Sequence, residues 1–129
     1  MTPAERHLIG FLRITAVILL LAAPAVIMPT PWMRWIAEVL GLELPPTPLT
    51  EYLTRSVSAL YAGLGAAFWF MSGEVSRYLP LLRFTVWATL AFDFALIALD
   101  LLIPLPWMWT LGEIVAVLAW TALWWWRVR

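Results

Sequence analysis

The chain has 129 residues, of which 64% are hydrophobic and only 12% charged, and its formal net charge is zero. A soluble domain carries about 45–50% apolar and 25% charged residues, so water could not solvate this composition and a bilayer can. Charge balance gives nucleic acid no electrostatic footing, and the absence of cysteine removes disulfides, thiol redox chemistry and iron–sulfur clusters. The single histidine, His7, lies near the N-terminus. A haem held by axial histidines inside a bundle is therefore excluded.

A membrane helix needs roughly 20 apolar residues to cross a ~30 Å hydrocarbon layer. The hydropathy pattern predicts an all-α, integral membrane four-helix bundle in one domain, 1–129. Its membrane helices are expected at about 4–28, 48–72, 78–103 and 107–127, with an amphipathic interfacial helix at about 31–41.

The first helix opens on Thr2-Pro3-Ala4-Glu5, which has the form of a capping box with a proline at the first helical position. Arg6 and Arg13 ahead of an apolar run, with Ala23-Pro24-Ala25 beyond, resemble a signal peptide. The segment is read instead as a retained membrane helix that Pro24 bends or ends. Thr30-Pro31 predicts a second N-cap and Gly41 a helix stop. Between them Trp32, Trp35, Ile36, Val39 and Leu40 recur near helical spacing, and Arg34 and Glu38 form an i,i+4 pair, as expected of a helix lying among headgroups. Leu44-Pro45-Pro46 breaks the chain, and Thr47-Pro48 starts the next helix.

That second helix carries two rows of small residues, Ser58-Ala62-Ala66 and Ala59-Gly63-Ala67. Small residues let membrane helices approach closely, so Ala59, Ala62, Gly63, Ala66 and Ala67 are the expected packing positions. A polar turn from Met71 to Pro80 leads to the third helix, and Pro104-Leu105-Pro106 breaks the chain before the fourth. Arg6, Arg13, Arg77, Arg83, Arg127 and Arg129 fall on one side, Arg34 and Arg55 on the other. The positive-inside rule then makes both termini cytoplasmic. Trp32, Trp35, Trp107 and Trp109 mark the outer interface, and Trp124, Trp125 and Trp126 the inner one. A pigment or quinone platform built on the Trp120–Trp126 cluster is the other reading of these indoles.

Polar residues inside the spans are the candidate site. Asp93 lies about 12 residues from Leu81, ~18 Å along the helix and near the midplane. An ionised carboxylate there costs about 2.5–3.5 kcal/mol on insertion scales. It is either a proton or cation site, or an aspartate that joins two helices through Tyr61 or Ser58. Arg55 and Asp100 fall at comparable depth on the outer side and are expected to pair, as a structural clamp or as a ligand-carboxylate site. Thr110-Leu111-Gly112-Glu113 has the form of a capping box that would explain Glu113. If the helix starts at Pro106 instead, Glu113 is available to join Arg55 and Asp100. No nucleophile–histidine set, metal-ligand cluster or phosphate loop is present, so catalytic, metal and cofactor sites are not expected. Small multidrug exporters need a glutamate in the first helix, and dual-topology fluoride channels need balanced arginines; neither pattern fits.

Three stretches carry a family resemblance: Tyr52-Leu53-Thr54-Arg55-Ser56-Val57-Ser58-Ala59-Leu60-Tyr61-Ala62, the turn Ser76-Arg77-Tyr78-Leu79-Pro80-Leu81-Leu82-Arg83, and Trp109-Thr110-Leu111-Gly112-Glu113. Over about residues 50–126 the chain resembles small bacterial four-helix membrane proteins of the DoxX-like group, some of which are associated with oxidoreductase or respiratory complexes. The resemblance implies a bacterial cytoplasmic-membrane protein in which Arg55 and Glu113 matter together. The long outer connection departs from the group's simplest forms. The functional expectation is a non-enzymatic accessory or scaffold subunit whose partners are the lipid bilayer and another membrane protein or a second copy. The alternative is a small-molecule or proton-coupled binding or transport protein using Asp93 with Arg55, Asp100 and Glu113.

Overall fold

Helix boundaries in the computed structural model follow from proline and from capping chemistry, and the structure describes residues 2–42, 45, 47–103 and 106–128. All regular structure among the described residues is helical: α1 (Pro3–Leu20), α2 (Ala23–Ile27), α3 (Thr30–Val39), α4 (Pro48–Met71), α5 (Val75–Leu102) and α6 (Trp107–Val128). The expected breaks at Leu44-Pro45-Pro46 and Pro104-Leu105-Pro106 rest mainly on residues outside the described set, as does Arg129.

The capping box at the start of α1 forms in both directions. Glu5 N–H donates to Thr2 Oγ1 at 3.2 Å, and Thr2 N–H donates to Glu5 Oε2 at 2.6 Å. Pro24 separates α1 from α2, because a proline has no N–H for the carbonyl four residues back, here Leu20, and its ring crowds that carbonyl. Gly41 ends α3 at a φ of 69°, a left-handed conformation that lets Leu42 N–H return to the Ala37 carbonyl at 2.8 Å. Thr47 caps α4, accepting from Thr50 N–H at 3.2 Å, with Pro48 at the first helical position.

Three boundaries correct the sequence reading. Pro29, not Thr30, precedes α3, and the Thr30 hydroxyl caps nothing because it donates to Glu51 Oε1 on α4 at 2.8 Å. The turn after α4 is far shorter than Met71–Pro80, since α5 begins at Val75 and runs through Pro80. Near a helix start a proline forfeits one bond, here to the Ser76 carbonyl, so the helix survives it. Finally, α6 is already helical at Thr110, whose N–H donates to Pro106 at 3.3 Å, so Thr110 and Glu113 do not form a capping box.

Among the described residues, three helices are long and apolar enough to cross a membrane, namely Pro3–Ile27, Val75–Leu102 and Trp107–Val128. Their surfaces carry exposed Ile, Leu, Phe and Trp on many sides, as lipid-facing helices do. The expected fourth span, α4, has the length, but Thr50, Glu51, Thr54, Arg55, Ser56 and Ser58 make its first half polar.

The chain divides into two compact units, residues 9–73 and residues 1–8 with 74–129. Within the first unit, α1 and α2 run antiparallel to α4. Gly65 is the point of closest approach, since a Cβ there would lie 2.9 Å from the Ala16 carbonyl oxygen and 3.0 Å from Leu19 Cβ. Gly63, by contrast, has nothing within 4 Å of such a Cβ, and Ala59, Ala66 and Ala67 share its exposure, with Ala62 half-buried. On α3 the buried residues are Met33 and Ala37, whereas Trp32 and Trp35 are 64% and 65% exposed. The recurrent apolar stripe of this helix therefore faces outward. Arg34 and Glu38 close no ion pair; those among the described residues are Arg55–Glu51 and Arg77–Glu74.

Within the second unit, α5 and α6 pack antiparallel. Leu82, Val86 and Asp93 are buried on α5, and Thr121, Trp124 and Val128 on α6. Trp87 and Trp125 meet edge to face, with centroids 5.1 Å apart at 77°. Trp124 is only 2% exposed, so it belongs to this core and not to an interfacial belt; Trp126 stays outside.

Candidate functional site

Arg55 lies two turns into α4, where it faces the end of α2. A helix end leaves carbonyls without intrahelical donors, and Pro29 and Pro31 add no N–H groups that could serve them. Arg55 supplies the donors: Nη1 to the Val26 carbonyl at 2.6 Å and Nη2 to that of Met28 at 3.0 Å. Nη2 and Nε also donate to Glu51 Oε1 at 2.7 and 3.2 Å. That oxygen accepts the Thr30 hydroxyl as well, so one carboxylate ties α3 and α4 to the same guanidinium. Glu51 stands in the first turn of α4, outside the three apolar spans. There Thr30, Arg34, Thr50 and Glu51, with the apolar Met33, Pro45 and Pro48, contribute to the lining of a cleft of about 180 Å³.

The clamp expected of Arg55 exists, but with other partners than Asp100 and Glu113. All three guanidinium nitrogens are engaged inside the first unit, and Asp100 and Glu113 belong to the second. At the other end of α4, Arg13 Nε donates to Ser72 Oγ at 3.4 Å, and its guanidinium lies over the Trp69 ring.

The second unit carries the intramembrane acids. Asp93 is 2% exposed and accepts a hydrogen bond from the Thr121 hydroxyl of α6 at 2.5 Å, both side chains being buried. Within the second unit the helix-joining partner is Thr121; Tyr61 and Ser58 belong to the first unit. Those two are half-buried on α4 and make no side-chain hydrogen bond among the described residues. Thr121 escaped the sequence reading, although it is the only hydroxyl residue of α6 beyond Thr110. Thr85 and Thr89, on the same helix, are half-buried, and the Thr85 hydroxyl donates to the Leu81 carbonyl at 2.8 Å.

Glu113 Oε2 accepts from Trp109 Nε1 at 3.0 Å, one turn earlier on the same helix. Asp100 stands within electrostatic reach of Glu113, and its Oδ2 is buried without a hydrogen-bond partner. No cation forms an ion pair with either acid among the described residues. No group of three or more metal-ligating side chains occurs among them. The unpartnered Asp100 oxygen can take a proton or a cation, whereas Asp93 is engaged by Thr121.

Comparison of the chain with protein-family profiles, curated proteins and solved structures returns no match.

Proposed function

We propose that the chain is a small, non-enzymatic integral membrane protein that serves as an accessory or scaffold subunit of a larger membrane assembly. The observation that carries this reading is the contrast on α4. Gly65 is consumed by contact with α1, while Ala59, Gly63, Ala66 and Ala67 leave a smooth, open stretch of the same helix. A surface of this kind suits a partner helix, since small residues supply close packing where lipid supplies no hydrophobic drive. Charged groups that could do chemistry at Arg55 and Asp93 are already spent on internal contacts, which favours a packing role. In this reading α4 is the fourth membrane crossing, with Glu51 at its outer boundary and both termini in the cytoplasm. The DoxX-like resemblance adds a bacterial cytoplasmic membrane and a respiratory or oxidoreductase assembly as its setting.

Extraction of native membranes in mild detergent, followed by native electrophoresis and cross-linking, tests the proposal. Wild-type chain is expected in a species larger than the monomer, and Gly63→Leu with Ala66→Leu should release it while leaving helical content intact. A wild-type chain that runs alone at every detergent concentration would exclude the scaffold.

One observation supports a second reading, a proton- or cation-linked binding or transport protein. Asp100 has a buried carboxylate oxygen with no hydrogen-bond partner among the described residues. In that case proteoliposomes would show pH-driven flux that Asp100→Asn abolishes without disturbing assembly.

A further inference from the structure

Arg83, Val86, Trp87, Trp125 and Val128 line a cleft of about 210 Å³ between α5 and α6. Helix lengths fix its depth in a bilayer. α5 has 28 residues, about 42 Å at 1.5 Å per residue, against a hydrocarbon layer of ~30 Å. With Leu102 at one boundary, the other falls about 20 residues earlier, close to Arg83. α6 has 22 residues, about 33 Å, and ends at Val128, so it reaches the same level. The two helices meet there through one bond, from Arg83 Nε to the Val128 carbonyl at 3.4 Å.

That bond uses one guanidinium nitrogen. Among the described residues, Nη1 and Nη2 donate to nothing and no carboxylate pairs with Arg83. The cleft thus combines a cation with two free donors, an indole pair and aliphatic side chains, at the depth where headgroup meets hydrocarbon. It is smaller than the ~300–1,000 Å³ typical of cofactor sites. Guanidinium forks match phosphate oxygens, and indoles favour the headgroup level.

We propose that this cleft holds one anionic phospholipid, its phosphate on the Arg83 guanidinium and its first acyl segments against Trp87 and Val86. No acid among the described residues lines the cleft, and Arg83 is its one charged side chain among them, so a net negative headgroup is preferred. The site stands whether or not the chain is a scaffold, because it needs only α5 and α6 in a membrane.

Native mass spectrometry of the full chain in detergent, with equimolar phosphatidylglycerol and phosphatidylcholine, tests it. Wild-type protein should retain a single phosphatidylglycerol with at least about fivefold preference, the effect expected of one arginine near an anionic headgroup. Arg83→Gln should remove the preference, Arg83→Lys should keep part of it, and Arg77→Gln, whose residue is exposed and bridged to Glu74, should leave it intact. Equal retention of the two lipids by wild-type protein overturns the proposal without any variant. So does undiminished preference in Arg83→Gln. Displacement of the lipid by millimolar inorganic phosphate would assign the cleft to a free anion and overturn the lipid assignment.

Discussion

Arg55 and Asp93 are both ionisable residues set in long helices, and the molecule accommodates them by opposite means. Arg55 is surrounded by acceptors, one carboxylate and two carbonyls, that occupy all three of its nitrogens. Asp93 accepts one hydrogen bond from a hydroxyl and is otherwise buried. The first arrangement repairs backbone that α2 leaves open at its end, so the charge and the break need each other. The second joins two uninterrupted helices at a single point. A charge of the first kind is part of the architecture, whereas the second kind is a local contact whose loss the surrounding packing can absorb.

Removing the guanidinium is the severest way to break this comparison. Arg55→Leu orphans the Val26 and Met28 carbonyls and leaves Glu51 without its cation, for an expected loss of about 2–4 kcal/mol. Unfolding equilibria in mixed micelles measure it, and a loss below about 1 kcal/mol would mean that these carbonyls find other donors. Next comes the packing that brings α4 to α1 and α2. Gly65→Ala drives a methyl into the Ala16 carbonyl and the Leu20 amide, both backbone, and should cost about 1–3 kcal/mol. Gly63→Ala, with open space around it, should be neutral by the same measurement, and equal effects at the two glycines would contradict the approach geometry. The smallest effect is expected at the Asp93 contact. A double-mutant cycle of Asp93→Leu with Thr121→Val should return a coupling of about 0.6 kcal/mol, and no more than about 1.7 kcal/mol, the range of interhelical hydrogen bonds in membranes. Asp93→Asn keeps the acceptor and should fall within that range. A coupling larger than the Arg55 effect would invert the comparison.

How far the site could be read from sequence depended on sequence distance. Glu5, Thr47 and Gly41 declared themselves, because caps and stops are chosen by residues within four positions of one another. Arg55 was legible as a clamp but not in its partners. Glu51, one turn away, and the carbonyls released at a proline break offered no charge pattern that distinguished them from Asp100. Thr121 was overlooked for a related reason. A threonine in an apolar helix commonly bonds its own backbone, and only the α5–α6 register turns this one toward Asp93.

By itself the sequence determined the membrane character, the helix succession and most helix ends, since hydropathy over some twenty residues and local capping are properties of contiguous chain. Tertiary structure alone decided which polar groups meet: Arg55 with the end of α2, Asp93 with Thr121, and Asp100 with no hydrogen-bond partner at its buried oxygen. It also decided that Gly65 rather than Gly63 is the close contact. The physical reason is rotation about the helix axis. Adjacent small or polar positions point about 100° apart, so which of them meets a neighbour is set by the packing of that neighbour and not by any local preference.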